Sequence, residues 1–193
     1  MSIKIRIAQI EDVEDILRIY APYVLNTNIT FEYNVPTLDE MKARMQKTLE
    51  TYPYLVALDD ERIIGYAYAS PFHSRAAYQW GSELSIYLDQ HYHGQSIGKK
   101  LYSVLLALLK CMNVQNVYAC ITHPNEKSKR FHAFFDFQMV GCFHRAGYKM
   151  GNWHDVIWME KAIDHQQHVE ALIPFSQLTH EQIESCLALC YDK

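Results

Sequence analysis

No run of lysine or arginine occurs in the sequence, no Cys-x-x-Cys pair, and no apolar stretch nearing the ~20 residues of a membrane span. Each absence removes a class. Without basic clusters, and with a formal net charge of -4, a nucleic-acid partner is not expected. The opening residues MSIKIRIAQIEDVEDI lack the charged-then-apolar order of a signal peptide, so a cytoplasmic protein with no membrane partner is expected. The five cysteines, Cys111, Cys120, Cys142, Cys186 and Cys190, are scattered and odd in number. They indicate reduced thiols rather than a disulfide framework or a zinc site.

What remains is an ordinary globular composition, 49% hydrophobic and 21% charged over 193 residues. That length suits one domain with a real core. "IKIRIA" alternates as a strand from Ile3 and leads into a helix at "IEDVEDILRIYAPYVL". Thr37 and Glu40 form a capping-box pattern opening a second helix. "YLVALD" and "IIGYAYAS" around "DDER" read as a hairpin, and "SELSIYL" as a further strand. A long helix follows from Ile97 to about Cys111, its apolar stripe made by Leu101, Val104, Leu105, Leu108 and Leu109. "NVYACI" is a strand, "NEKSKRFHAFFDF" a short helix, and "QMVGCFHRAGY" with "WHDVIWMEKAI" a strand pair. This order predicts a mixed α+β sheet. Residues 1–163 read as the domain and 164–193 as a C-terminal extension, partly helical, with Thr179 and Gln182 capping its helix.

Between strand and long helix lies "HGQSIGKK". Helix N-termini present unpaired N–H groups and a positive dipole end, which suit phosphate. Gly94 and Gly98 keep that backbone accessible, and Lys99 and Lys100 add positive charge. The spacing fits neither a Walker loop nor the dinucleotide fingerprint, so a plain turn is the competing reading.

Strand, turn and helix together resemble the pyrophosphate-binding Arg/Gln-x-x-Gly-x-Gly/Ala motif of the GNAT superfamily of N-acetyltransferases. His93 takes the Arg/Gln position, Ser96 the first glycine and Gly98 the second, so two of three positions depart from the pattern. "RAAYQWGSELSIYL", "HPNEKSKRFHAFFDF", "HRAGYKMGNWHDVIWM" and "YAPYVLNTNITFEYNVPTLDEM" resemble segments of the phosphinothricin N-acetyltransferase subfamily, in order, from about Ile3 to Ile163. The resemblance implies a twisted, mostly antiparallel sheet of about seven strands, splayed between the fourth and fifth, with acetyl-CoA in the gap.

It also assigns roles. Glu83 matches the general base, where residues alone suggest a solvated strand-start carboxylate. His132, seven residues after Asn125, matches the position that protonates the leaving thiolate; a packing histidine is the alternative. Asn125 would bind the pantetheine amide, and the backbone from Ile86 through Tyr87 to Leu88 the pantetheine arm and the oxyanion. His93, Gly94, Gln95, Ser96, Ile97, Gly98 and Lys99 would hold the diphosphate. Asp136 stands where relatives carry glycine. Arg75 is a candidate clamp for an acceptor's anionic end, and Phe31, Tyr33 and Tyr78 candidate apolar walls, against solvated-loop and core-packing readings. Lys149 is a weaker anion candidate. His154 and Asp155 supply too few ligands for a metal, and none is expected; Trp153 and His154 are placed at the acceptor pocket or a dimer contact.

The expected activity is acetyl transfer from acetyl-CoA to the α-amino group of a small amino-acid-like amine, phosphinothricin or methionine sulfoximine among them. One rival changes the acceptor to a polyamine, an aminoglycoside or a protein N-terminus. Another is a non-catalytic acetyl-CoA-binding module, favoured by the altered turn and disfavoured by the presence of a base. A homodimer is expected, through the "GYKMGNWHDV" region and the tail.

Overall fold

The computed structural model describes residues 3–164 and 169–191. Seven strands form one sheet: β1 (Ile3–Ile7), β2 (Tyr54–Asp59), β3 (Arg62–Pro71), β4 (Gly81–Leu88), β5 (Asn116–His123), β6 (Gln138–Lys149) and β7 (Asn152–Ala162). Their order is β1-β2-β3-β4-β5-β7-β6, antiparallel throughout except where β4 meets β5. The helices are α1 (Val13–Asn26), α2 (Leu38–Leu49), α3 (Ile97–Cys111), α4 (Glu126–Phe134) and α5 (His180–Ala188).

Local sequence explains most of these boundaries. Thr37 and Glu40 close the capping box of α2, and Thr179 and Gln182 that of α5, each satisfying two otherwise orphaned N–H groups. The turn after α4 needs a left-handed residue, and Asp136 supplies it at φ 63° in place of the expected glycine. Lys161 on β7 holds that turn, its Nζ donating to the Phe135 carbonyl at 2.7 Å. The aspartate therefore changes the chemistry of the turn and keeps its shape.

Two cores sandwich the sheet. On one face, α1 and α2 cover Val56, Leu58, Ile63 and Tyr66. On the other, α3 lies against Leu55, Ala57, Ile64, Ala67 and Val117, with Leu101, Tyr102, Val104, Leu105, Leu108 and Leu109 fully buried. Phe175, Leu178, Cys186 and Cys190 of the C-terminal extension belong to this same core. Its backbone is tied in as well: the Phe175 amide donates to the Thr51 carbonyl at 2.8 Å, and Lys100 Nζ donates to the Cys190 carbonyl at 2.7 Å. Replacing Phe175 by alanine is expected to destabilise the fold by about 3–5 kcal/mol, the range for a buried aromatic. Denaturant unfolding measures this, and an unchanged midpoint would mean the extension contributes nothing to the core.

The parallel junction is short. β4 and β5 pair only from Gly81 to Glu83 against Asn116 to Tyr118, after which the strands diverge. The splay expected between the fourth and fifth strands is present.

Candidate active site

Where β4 leaves β5, a cleft opens. Its walls come from Ile29, Thr30 and Phe31 in the α1–α2 loop, residues 83–87 of β4, residues 119–122 of β5, Asn125, Ser128 and His132 of α4, and Val156 of β7.

The backbone of β4 alternates in a way that fixes what faces this cleft. The Gly81 carbonyl accepts from Phe72 and the Asp89 amide donates to Ile64, both toward the β3 side. The odd residues from 81 to 89 therefore point their backbone groups at β3, and the even ones point the other way. The Leu88 carbonyl confirms the alternation by accepting the Tyr23 hydroxyl at 2.6 Å on that other side. Past the last β4–β5 pair, the amides of Ile86 and Leu88 thus open into the gap.

Glu83 is the one carboxylate among the residues lining the cleft. Among the described residues it has no hydrogen-bond or ion-pair partner, and burial alone pushes its carboxyl above the usual range. A partly desolvated, unpaired glutamate is a poised proton acceptor. The Cys120 thiol beside it is pushed up to about 11 by burial and by the Glu83 charge, and so stays protonated.

His132 is buried at the inner wall. Its Nδ1 donates to the Ser128 carbonyl at 2.8 Å, which leaves Nε2 to accept the Tyr102 hydroxyl at 2.9 Å. Burial lowers its pKa, so the neutral ring with both nitrogens engaged is the resting form. Asn125 caps α4, its side-chain oxygen accepting the Ser128 amide at 3.1 Å, which leaves its NH₂ to donate elsewhere.

The turn before α3 enters the left-handed region twice. Gly94 lies at φ 83°, and Ser96 takes the left-handed region at φ 62° directly before the first helical residue. This presents the first amides of α3 outward beside the gap. Gly98 is closely packed, a Cβ there meeting Phe131 at 3.2 Å and Ile86 at 3.4 Å. The side chains around the turn are less available than expected. His93 Nε2 donates to the Tyr23 hydroxyl oxygen at 3.2 Å, Lys99 lies 3.4 Å over the Phe134 ring, and Lys100 serves the tail. What the turn leaves unengaged is its backbone amides more than its side-chain charge.

One wall of the cleft is clamped in place. Lys149 Nζ donates to the Thr30 carbonyl at 2.7 Å, Asn28 Nδ2 donates to His154 Nδ1 at 3.0 Å, and the Tyr33 hydroxyl bonds the Tyr148 carbonyl. His154 Nε2 in turn donates to the Lys149 carbonyl at 3.0 Å. Phe31 lies so close over Gly147 that a Cβ there would stand 2.3 Å from the ring, so this position requires glycine. His154 and Lys149 therefore hold the α1–α2 loop onto the β6–β7 hairpin.

Arg75 and Tyr78 are not part of the cleft lining. Both sit exposed on the β3–β4 loop, where Arg75 precedes a single 3-10 turn at Ala76–Tyr78. That loop packs by its own aromatics, Phe72 stacking on Tyr118 with ring centroids 3.9 Å apart. Tyr118 is the cross-strand partner of Glu83, so the loop borders the same face of the sheet. Tyr102, by contrast, escaped the sequence reading: it follows Leu101 on an apolar helix and looked like core, its hydroxyl contact to α4 having no sequence signal.

A family model described as an acetyltransferase (GNAT) domain matches residues 5–158. A phosphinothricin N-acetyltransferase of Streptomyces coelicolor is 34% identical over 166 residues, covering 84% of this chain and 97% of that protein. An L-methionine sulfoximine/L-methionine sulfone acetyltransferase of Pseudomonas paraeruginosa is 27% identical over 166 residues, 85% of this chain and 96% of its own. The crystal structure of a phosphinothricin acetyltransferase from Sinorhizobium meliloti in complex with acetyl-CoA superposes with a TM-score of 0.84 at 32% identity, covering 91% of this chain and 99% of that one.

Proposed function

The chain belongs to the GNAT acetyltransferase family, and from that premise we propose that it acetylates the α-amino group of a small amino-acid-like acceptor of the phosphinothricin or methionine sulfoximine kind, by direct transfer with Glu83 as general base. The enzyme is an acetyl-CoA-dependent N-acetyltransferase. The observation that carries the finer reading is the end of β4–β5 pairing at Glu83, which places an unpaired, desolvated carboxylate at the head of the cleft.

The residues present fit the coenzyme. The free amides of Ile86 and Leu88 continue the edge of β4, as an extended pantetheine arm requires, and the α3 N-terminus lies beyond them for the diphosphate. The bound thioester supplies an activated acetyl carbonyl. Glu83 accepts the proton of the acceptor ammonium, directly or through one water, and so frees the amine to attack. The Ile86 amide stabilises the oxyanion that forms. Asn125 orients the arm through its free NH₂. His132 is the proposed proton source for the thiolate, a role that requires the imidazolium that burial disfavours. Phe31 walls the acceptor side.

Free-thiol release from acetyl-CoA tests this against L-phosphinothricin, L-methionine sulfoximine, common amino acids, spermidine and an aminoglycoside. Turnover on the first two supports the acceptor. Turnover only on a polyamine or aminoglycoside replaces it. Silence with tight acetyl-CoA binding points to a binding module.

A homodimer belongs to the same proposal. β6 is the outer strand of the sheet, and Val140 and Phe143 on it are 58% and 62% exposed. An open apolar edge of this kind attracts a partner strand or surface. Sedimentation at micromolar concentration is expected to show a dimer, and Phe143→Glu to shift it toward monomer. A wild-type monomer at that concentration would overturn it.

A further inference from the structure

Asp155 was read beside His154, but alternation along β7 turns these two residues to opposite faces of the sheet. His154 faces the α1–α2 loop. Asp155 instead meets Cys142 and His144 of β6, and the Cys142 Sγ, His144 Nδ1 and Asp155 carboxylate all lie within 4.8 Å of one another. We propose that these three side chains form a binding site for a thiophilic divalent cation, zinc in first place, separate from the acetyl-transfer cleft and not used by its chemistry.

Two of the three ligand separations compare with the edges of a tetrahedral zinc site. Zinc bond lengths of about 2.3 Å to sulfur and about 2.0 Å to nitrogen or oxygen imply ligand separations of about 3.6 Å (S to N) and about 3.3 Å (N to O). The observed separations are 3.9 Å from Cys142 Sγ to His144 Nδ1 and 3.0 Å from His144 Nδ1 to Asp155 Oδ2. Each differs from the ideal by a few tenths of an ångström, which side-chain rotation covers. Binding replaces the His144–Asp155 hydrogen bond and expels the thiol proton, and the thiolate and carboxylate then balance the dication's charge. The fourth position is left to water, because Cys142 and His144 are exposed.

The backbone is arranged around this cluster. β6 loses register with β7 between Phe143 and Gly147, and within that irregularity Arg145 takes φ 50°. The Arg145 amide thereby reaches Asp155 Oδ1 at 2.8 Å. One carboxylate oxygen is fixed by a second partner while the other faces His144, the outer-shell orientation common for carboxylate ligands. A soft sulfur with an imidazole selects zinc over magnesium or calcium, which take oxygen ligands.

The test uses full-length, chelator-treated protein titrated with Co²⁺, whose thiolate charge-transfer band reports sulfur ligation, and then Zn²⁺ in competition with a chromophoric chelator. Wild type is expected to develop the band at one equivalent and lose it to Zn²⁺. Cys142→Ser is expected to abolish the band, and Asp155→Asn and His144→Ala to weaken Zn²⁺ binding by at least about 10–100-fold, the loss that follows removal of even an outer-shell partner. Circular dichroism and acetyl-CoA binding at wild-type levels show that each variant is folded. Absence of the band in wild type, its persistence in Cys142→Ser, or Zn²⁺ affinity unaltered in all three variants overturns the proposal.

Discussion

Glu83→Gln is expected to lower kcat/KM for the amine by about 10²–10⁴-fold, the range for removal of a general base. Glutamine keeps the shape and polarity of the side chain and removes its capacity to take a proton. The same change is expected to raise thermal stability slightly. Glu83 is desolvated without a compensating partner, so its ionised form is disfavoured in the fold. The sign follows from linkage: a carboxyl whose folded pKa is raised holds its proton more tightly when folded. Its ionisation costs nothing well below 4.5 and costs stability increasingly as pH rises through the folded pKa. Glutamine removes that cost at neutral pH. Turnover and melting temperature of wild type and variant, measured together, check both halves. Undiminished turnover would take the base role from Glu83.

The pH profile separates Glu83 from His132. Activity that needs the Glu83 carboxylate falls on acidification, with an apparent pKa above 4.5. Activity that needs the His132 imidazolium would rise on acidification, because burial lowers that pKa below 6.5. A single acid limb, abolished in Glu83→Gln, is the expected result if His132 serves to hold the Tyr102 hydroxyl. A bell with an alkaline limb below 6.5 would assign it the proton donation.

What the sequence made legible was whatever short-range chemistry decides. The α2 and α5 capping boxes, the stripe of α3 and the hairpin of β2 and β3 each depend on residues within a few positions of one another, and each is present. Glu83 stood out only through the resemblance, its own residues suggesting a solvated strand-start carboxylate; the fold shows it partly buried and, among the described residues, unpaired, a state no local pattern encodes. The illegible part was decided across the fold. His93 looked like a phosphate donor, yet the Tyr23 hydroxyl engages it from α1, 70 residues away in sequence. Arg75 is close to Glu83 in sequence but sits on a loop whose aromatics pack along β5, outside the cleft lining. Cys142, His144 and Asp155 meet through the cross-strand pairing of β6 with β7, which their spacing in sequence does not reveal.

The direction of each β4 amide was the least legible feature, and it supports the second large effect. Ile86→Pro deletes one N–H and fixes φ at about −65°, at the edge of the broad extended region open to a strand. The alternation set by Gly81 and Asp89 turns that N–H to the gap and not to β3, so no ladder hydrogen bond is lost. Ser85→Pro removes an N–H that faces β3 and breaks the sheet at its centre. Ile86→Pro is therefore expected to fold with a modest drop in melting temperature and to lose about 10²–10³-fold in kcat, the cost of one oxyanion donor. Ser85→Pro is expected to fail in folding. Ile86→Val, which keeps the amide and most of the side chain, should remain near wild type. If Ile86→Pro turned over normally, the oxyanion would have to be held elsewhere, with the Leu88 amide next in position along the same edge. If Ile86→Val were as damaged as Ile86→Pro, the side chain packed against Gly98 and α3 would be responsible rather than the backbone.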